Sequence, residues 1–598
     1  MSLSTSRRDF LKTGAAFAAA GRVGHSLADE THSPAEELAE FDYGAVQLTG
    51  GPLKEQYDRI RDSYLALDND RLLKPYRERA GLSAPGAKMG GWYGPDGFVP
   101  GHSLGQYISG LARFGRATGD ASCNAKVGDL VSGFAATLGS NNRIYAGANA
   151  EKVWPCYVLD KHLAGLIDAF SLTGIAQARE LLPRVLRGAA PFIPERGRDR
   201  VGKKDPPYDE TYVLPENLFN AYALIGDRAF QDRAVAYLLD REFFDPLARG
   251  EDVLPGRHAY SHAIALSSAA KARIVLGEER YLRSMETAWR MLASEQQYAS
   301  GGWGPNETFI EPHRGELYAS LQSTEDHFET PCGSYAAIKL ARYLLRATGD
   351  GRYGDGLERV LYNGLLAVKD PDGEGDYPYY STYGPNAQKV FYRQKWPCCS
   401  GTLVQGVADY VKNIYFRSRD GIAVNLYTPS QFTWRQNGVP VKLTQETEYP
   451  LGDTIQLRVG SPAPVVFALS LRIPGWLEQP LQVQVNGKKE IFANRQGFAL
   501  VRRIWRDGDR ITLEVPQDFR TEPIDDFHPH VAALMRGPLL YVQRNPGAGK
   551  QRLPHLDSLR AAGDSHGTFQ SHAGASSRVF VPFFSIRDER YTTYFEET

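Results

Sequence analysis

Two hydrophobic periods divide the chain. As far as about residue 413, apolar residues recur three and four positions apart, the spacing of an amphipathic helix; beyond it they alternate, the spacing of a half-buried strand. The helical runs share one ending. Residues 104–112 lead into Ala117-Thr118-Gly119-Asp120, 162–170 into Leu172-Thr173-Gly174, 217–225 into Gly226-Asp227 and 337–348 into Gly349-Asp350, each with a glycine suited to the left-handed cap. A repeated helix with a repeated stop predicts helical hairpins, and six of them closing into a toroid would leave the loops at one end to carry a site. After the change of period, strands are expected over 414–416, 422–427, 439–443, 454–459, 465–473, 481–485, 511–515 and 539–542, with Asn486-Gly487 as a hairpin turn. This pattern predicts an antiparallel β-sandwich in one or two lobes, and the weakly periodic stretch from Pro546 to Ser577 reads as loop or insertion.

The first residues add a destination. Ser6-Arg7-Arg8-Asp9-Phe10-Leu11-Lys12 precedes a short apolar run and an Ala-rich tail, the pattern of a twin-arginine export signal. The run is far shorter than the roughly 20 apolar residues that span a bilayer, so no membrane span is expected. The expected division is therefore a signal at 1–28, a helical domain at 29–413 and a sandwich region at 414–598. The expected location is periplasmic or secreted, with the twin-arginine machinery as a partner. The charged residues, 69 basic and 70 acidic, form no block or basic tail, which argues against nucleic acid. The 32 Tyr and 8 Trp offer flat apolar faces with polar rims, which suit sugars and cores alike.

Candidate chemistry concentrates in the cysteines. There are five, an odd and irregular set that makes no disulfide framework, and Cys123 and Cys156 are either inert or paired. Cys398 and Cys399 are adjacent in a Pro- and Gly-bounded turn, and Cys332 opens a helix. Adjacent side chains are poorly placed to bond to each other, whereas two thiolates and a distant third can converge on a soft metal ion with a carboxylate as fourth ligand. Small buried hydrophobes are the alternative reading. Glu307 sits on the glycine-rich loop 301–304, and Glu329 stands three residues before Cys332 as either a site residue or a simple cap. His102, His258, His262 and His327 lie in motif-like settings and are either substrate contacts or hydrogen-bonded core residues; Tyr383 is a further substrate-binding candidate.

A group of these motifs resembles glycoside hydrolase family 127, the beta-L-arabinofuranosidase family. The motifs are Gly101-His102-Ser103-Leu104-Gly105, Gly256-Arg257-His258-Ala259, Glu329-Thr330-Pro331-Cys332, residues 358–363 and Trp396-Pro397-Cys398-Cys399, with Leu471-Arg472-Ile473-Pro474-Gly475-Trp476 in the strand-rich half. The resemblance runs from about residue 90 to about residue 545. It implies a multidomain α and β protein, an (α/α)6 barrel followed by β-sandwich domains. It also implies a retaining exo-glycosidase acting on plant or bacterial glycan oligosaccharides through a zinc-bound cysteine. Carried over by motif, Cys398 is the nucleophile, Cys332, Cys399 and Glu307 hold zinc with it, Glu329 is the general acid/base, and His258 sits beside the sugar, with His102, His262 and Tyr383 as further contacts. Three thiolates and a carboxylate around a divalent ion leave a formal excess of negative charge, which would keep a neighbouring carboxylic acid protonated.

The chain departs from the family pattern at two points. Pro331 separates Glu329-Thr330 from Cys332 where the family reads Glu-Thr-Cys, which leaves Glu325 and Asp326 as alternative acids. Ser400-Gly401 follows the doublet where relatives carry Pro-Pro-Asn, which leaves the sugar open between beta-L-arabinofuranoside, other furanosides and pectic sugars. The rival readings are a non-catalytic carbohydrate-binding protein with a structural zinc, and a polysaccharide lyase or unsaturated uronide hydrolase, since helical toroids joined to sandwiches serve that chemistry too.

Overall fold

The computed structural model describes residues 36–202, 209–547, 549–563, 567–573 and 576–597; the export segment read at 1–28 lies outside them. The expected helical stops are in place. Helices Leu104–Thr118, Pro155–Thr173, Pro215–Ile225 and Thr330–Thr348 end at Gly119, Gly174, Gly226 and Gly349, whose φ angles lie between 68° and 76°. Two more helices, Ala259–Leu276 and Cys399–Ala408, belong to the same set. The six follow one another in contact along the chain, and Cys399–Ala408 packs back against Leu104–Thr118. Helices Ala121–Thr137, Ala176–Ala189, Arg228–Tyr237, Arg280–Met291 and Gly351–Val360 each pack on the preceding member, and Gly51–Leu65 packs on Cys399–Ala408. Ala259–Leu276 is buried on nearly every face, as a helix surrounded by others must be. Leu104–Thr118 and Pro155–Thr173 meet through their backbones. A Cβ on Gly105 would stand 1.8 Å from the Lys161 carbonyl oxygen, so only glycine fits there.

From Tyr415 onward the chain forms sheets. A six-stranded sheet runs in the order Ala39–Glu40, Tyr415–Ser418, Gly421–Val424, Val465–Arg472, Phe498–Trp505, Ala493–Arg495. A seven-stranded sheet runs from Lys488–Lys489 through Gln482–Val485, Arg510–Glu514, Thr454–Gly460, Val439–Thr447 and Ser430–Gln436 to Val46–Leu48. The two pack face to face through Phe432 and Trp434 on one and Phe467 and Trp505 on the other, with Trp434 and Phe467 edge to face at 5.3 Å. Asn486 and Gly487, at φ 52° and 75°, make the expected hairpin turn.

The sheets differ from expectation in three ways. Residues 39–48 supply an edge strand to each sheet, so this part of the 29–413 segment belongs with the strands. Gly421–Val424 pairs parallel with Val465–Arg472, so the sheets are not wholly antiparallel. The stretch from Pro546 to Ser577 contains strands Arg560–Ala561 and Phe569–Ala573 and the start of Ser576–Pro582, all in a third, eight-stranded sheet. Asn363 locks that sheet to the helices, donating to the Pro538 carbonyl at 2.8 Å and accepting from the Leu540 amide at 2.8 Å. Among the described residues no helix is long and apolar enough to cross a membrane.

Candidate active site

Three thiols converge because two helices begin at one point. Cys332 lies in the first turn of Thr330–Thr348, Cys399 is the first residue of Cys399–Ala408, and Cys398 caps it. Helix N-termini carry partial positive charge and favour thiolates. Cys332 Sγ lies 3.3 Å from Cys399 Sγ and 3.6 Å from Cys398 Sγ, beyond a covalent S–S bond, and all five cysteines are free. Cys123 and Cys156 are buried and stand apart from this group. Glu329 completes the cluster, its Oε1 lying 3.4 Å from Cys398 Sγ and 3.9 Å from Cys399 Sγ. The four ligand atoms lie within 4.8 Å of one another. Tetrahedral zinc with Zn–S near 2.3 Å and Zn–O near 2.0 Å requires S···S separations of about 3.8 Å and S···O of about 3.5 Å, so the donor set and its spacing fit a metal ion. Glu329 Oε1 faces the thiols, and the buried Oε2 has His258 Nε2 as a neighbour at 3.5 Å.

The protonation pattern within the cluster is asymmetric. Burial alone would raise the Cys398 thiol, but hydrogen bonds from Cys332, Cys399 and Tyr379 hold it well below the ordinary thiol range. Cys332 and Cys399 are pushed well up, chiefly by burial. Burial and the neighbouring Cys398 charge raise Glu329.

The two expected carboxylates have exchanged places. Glu329, expected as the acid, stands with the thiols; Glu307, expected as a ligand, stands outside them. The cause is in the backbone. Phe328–Glu329 pairs with Tyr380–Ser381 in a two-residue ladder that delivers Glu329 to the start of its helix, and Pro331 occupies a first-turn position where no amide hydrogen is needed. Glu307 instead lies in a turn where Gly304, Asn306 and Glu307, with Pro305 among them, take φ of 80°, 53° and 60°, so it is itself a non-glycine residue at positive φ. The Asn306 amide donates to the Asp326 carbonyl at 2.7 Å, Thr308 bridges to His258, and Tyr380 donates to Glu307 Oε1 at 2.5 Å. Glu325 and Asp326, the alternative acids, do not line the cavity described below.

His258 joins the two carboxylates. Its Nε2 lies 3.5 Å from Glu329 Oε2 and 3.8 Å from Glu307 Oε2, while Nδ1 contacts Glu210 Oε1 at 2.8 Å. Burial would lower the imidazole, but hydrogen bonds to Glu210 and Glu329 and the charge of Glu307 hold it well above its ordinary value. Burial would raise Glu210, but the His258 bond holds it down at about 2. Asp209 fixes this segment by accepting from the Cys156 and Tyr157 amides at the start of Pro155–Thr173, at 3.0 to 3.1 Å.

The other expected contacts lie one layer back. His262 packs behind His258, its Nδ1 2.9 Å from the His258 carbonyl and its Nε2 2.9 Å from Asp199, so it positions rather than lines. His102 is buried beside Cys398, Nδ1 on the Val99 carbonyl at 2.9 Å, and burial lowers it to about 4. His327 bonds the Ser320 carbonyl within the core. Tyr383 does not reach the site. It packs in the cluster against the third sheet and bonds Ser300 at 2.6 Å.

A cavity of about 360 Å³ opens onto this chemistry. Its lining includes Cys398, Glu307, Glu329 and His258, together with Arg200, Glu210, Tyr157, Tyr260, Tyr379, Tyr380 and a group of aromatics around Trp92. Of the three clustered thiols only Cys398 borders it among the described residues; Cys332 and Cys399 are sealed behind. Sequence reasoning missed Glu210, Arg200 and the tyrosines. Tyr379-Tyr380, within the Tyr-rich stretch 377–383, was the available signal.

The comparisons with known proteins cover both halves. Residues 45–412 match the family model described as beta-L-arabinofuranosidase, GH127 catalytic domain, and residues 421–517 match its middle domain. A non-reducing end beta-L-arabinofuranosidase of Bifidobacterium longum is 24% identical over 449 residues, spanning 65% of this chain and 65% of that protein. The chain thus covers slightly under two thirds of that relative's length. The crystal structure of a GH127 beta-L-arabinofuranosidase from Geobacillus stearothermophilus T6 superposes with a TM-score of 0.70 at 19% identity, covering 92% of this chain and 100% of the other. A second structure, a GH127 beta-arabinofuranosidase, gives 0.74 at 18% identity, covering 94% and 98%. At these identities the likeness is one of fold.

Proposed function

The chain belongs to glycoside hydrolase family 127, and from that membership and the cavity we propose that it is a retaining, exo-acting furanosidase, with beta-L-arabinofuranoside as its substrate, Cys398 as nucleophile and Glu307 as acid/base. One observation carries the reading. Among the three clustered thiols Cys398 alone borders the cavity, and it is also the one held toward the thiolate. Glu329, Cys332 and Cys399 would hold zinc together with Cys398. When bound, zinc supplies a stabilised thiolate at neutral pH without a separate base.

Every other step belongs to side chains. The Cys398 thiolate attacks the anomeric carbon as the glycosidic C–O bond breaks, and Glu307 gives its proton to the departing oxygen. Glu307, now a carboxylate, takes a proton from water whose oxygen displaces Cys398 from the same carbon, returning thiolate and acid. Tyr380 and His258 hold Glu307 on either side. A cavity of about 360 Å³ whose lining combines charged residues with aromatics supports a short sugar substrate.

The cyclic order of helix contacts supports reading the helical half as an (α/α)6 barrel, with the domain division at 413 and the strands of residues 39–48 joining the sandwich. Twin-arginine export of the folded chain to the periplasm or beyond would let thiolates take up metal before meeting an oxidising compartment. The test is chemical. Rapid quench of the zinc-loaded protein with a slowly turned-over arabinofuranoside should yield one pentosyl unit on the peptide carrying Cys398, and the released sugar should keep its anomeric configuration. An adduct on Glu307, or inversion, overturns the assignment.

A further inference from the structure

Phe98 is 42% exposed and belongs to neither hydrophobic core cluster, yet it is not loose. Its ring centroid lies 4.7 Å from Trp92 and 5.5 Å from Trp154. Trp92 in turn lies 6.1 Å from Tyr379, and Trp154 lies 5.9 Å from Tyr157. The five rings form a continuous arc, Tyr379–Trp92–Phe98–Trp154–Tyr157, and all five line the cavity that Cys398 borders. Both ends of the arc share the cavity with the chemistry, since Tyr379 and Tyr157 line it together with Cys398. Phe98 is the outermost point.

The segment that carries it is docked on the chain leading to the nucleophile. The Trp92 amide donates to the Lys395 carbonyl at 2.9 Å, and the Val99 amide returns to the Trp92 carbonyl at 3.1 Å. The Trp92 indole nitrogen donates to Gln394. Nothing ionised belongs to the arc itself; the charged lining residues are Arg200, Glu210, His258, Glu307 and Glu329. A ring leaving the anomeric carbon therefore meets a wall of aromatic faces and edges, which attracts flat apolar surface more than a charged group.

Resting on the furanosidase reading, we propose that Phe98, braced by Trp92 and Trp154, forms the subsite for the leaving group and selects one with a flat, uncharged ring face. Wild type, Phe98→Ala and Phe98→Trp, all zinc-loaded, are compared on a nitrophenyl and a methyl arabinofuranoside. The ratio of kcat/KM between the two substrates cancels the intrinsic reactivity of the leaving groups when compared across variants. In Phe98→Ala that ratio should fall roughly three- to tenfold, mainly through KM, the worth of one aromatic contact. In Phe98→Trp at least half of the ratio should return. A ratio within twofold of wild type in Phe98→Ala, or a Phe98→Trp variant as impaired as Phe98→Ala, overturns the subsite while leaving the reaction intact. Wild-type protein that cleaves neither furanoside overturns the reaction itself, and the subsite with it.

Discussion

Glu307→Gln and Glu329→Gln are isosteric changes at two carboxylates that share one histidine, and they should fail in opposite ways. In Glu307→Gln the amide oxygen still accepts from Tyr380 and the side-chain volume is kept, and because Glu307 is not one of the four clustered residues the thiol cluster should stay intact. What is lost is the proton. General acid/base catalysis is worth about 10²- to 10⁴-fold, or about 2.7 to 5.5 kcal/mol at about 1.36 kcal/mol per decade. The loss should be uneven. A nitrophenolate leaves without a proton, so the first step should survive and release a burst of nitrophenol, while the second step, which needs a base on water, stalls with sugar on Cys398. Glu329→Gln keeps the volume but replaces an anionic donor 3.4 Å from Cys398 with a neutral amide. Partners one shell out from a metal are worth about 10- to 100-fold in affinity, so a direct ligand should cost more than hundredfold. Metal content after dialysis against a chelator, thermal unfolding and burst kinetics on a nitrophenyl furanoside separate the two. Full metal and a burst are expected for Glu307→Gln, loss of metal and of both steps for Glu329→Gln. If Glu307→Gln sheds its metal while Glu329→Gln keeps it and shows the burst, the roles drawn from the geometry are reversed.

Two further changes probe the scaffold. Gly91 sits at φ 53°, and a Cβ there would stand 2.0 Å from the Lys395 carbonyl oxygen, a backbone atom that cannot rotate away, so Gly91→Ala should undock the Trp92 segment and lower kcat/KM at least tenfold. Gly119→Ala, at φ 72° with open space around it, is the matched control and should cost about 1 kcal/mol of stability with activity kept; equal activity in both variants refutes the docking argument. Asp409 is buried between Arg113 and Arg342, each at 3.0 Å, and although burial raises its carboxyl, the two guanidinium charges bring it below the ordinary range. A depressed folded-state value means its stabilisation is complete above the ordinary Asp value of about 3.9 and is lost as pH falls through the lower folded value. Asp409→Asn should therefore cost about 3 kcal/mol in urea unfolding at pH 7, the low end for a broken buried pair because Arg113 keeps Asp168 and Arg342 keeps Glu40, and the gap to wild type should narrow below about pH 4. A gap that stays constant down to pH 3 rejects the ion-pair account.

What could be read from the chain alone was what local physics decides. A glycine after a 3.6-period run has one economical use, and Gly119, Gly174, Gly226 and Gly349 take it. Asn486-Gly487 is similarly self-sufficient. Ser430–Gln436 escaped notice although it alternates and Asn437-Gly438 follows it, whereas two other missed strands lacked such signals. Phe519–Pro523 has no buried alternation, and Val531–Arg536 is a continuous apolar run that periodicity cannot tell from a buried helix. The edge strands at 39–48 exist only because partners hundreds of residues away supply their hydrogen bonds.

The site divides along the same line. Convergence of Cys332 with the doublet was legible because the residue types suit one soft ion, whereas the helix that the doublet opens, read as a turn, was not. The allocation of Glu307 and Glu329 was not, because it depends on pairings with no local trace: Glu329 with Tyr380, Thr308 with His258, and Asn306 with Asp326. Those pairings also explain why Glu307 tolerates a left-handed backbone. A strained residue persists where surrounding contacts over-determine it, and here they come from Tyr380, His258 and the Asp326 carbonyl that holds the preceding Asn306. In the proposed mechanism the proton donor is thereby held by elements next to the thiol cluster, so a change that loosens Tyr380 or the 304–307 turn should misplace the acid while leaving the thiols together.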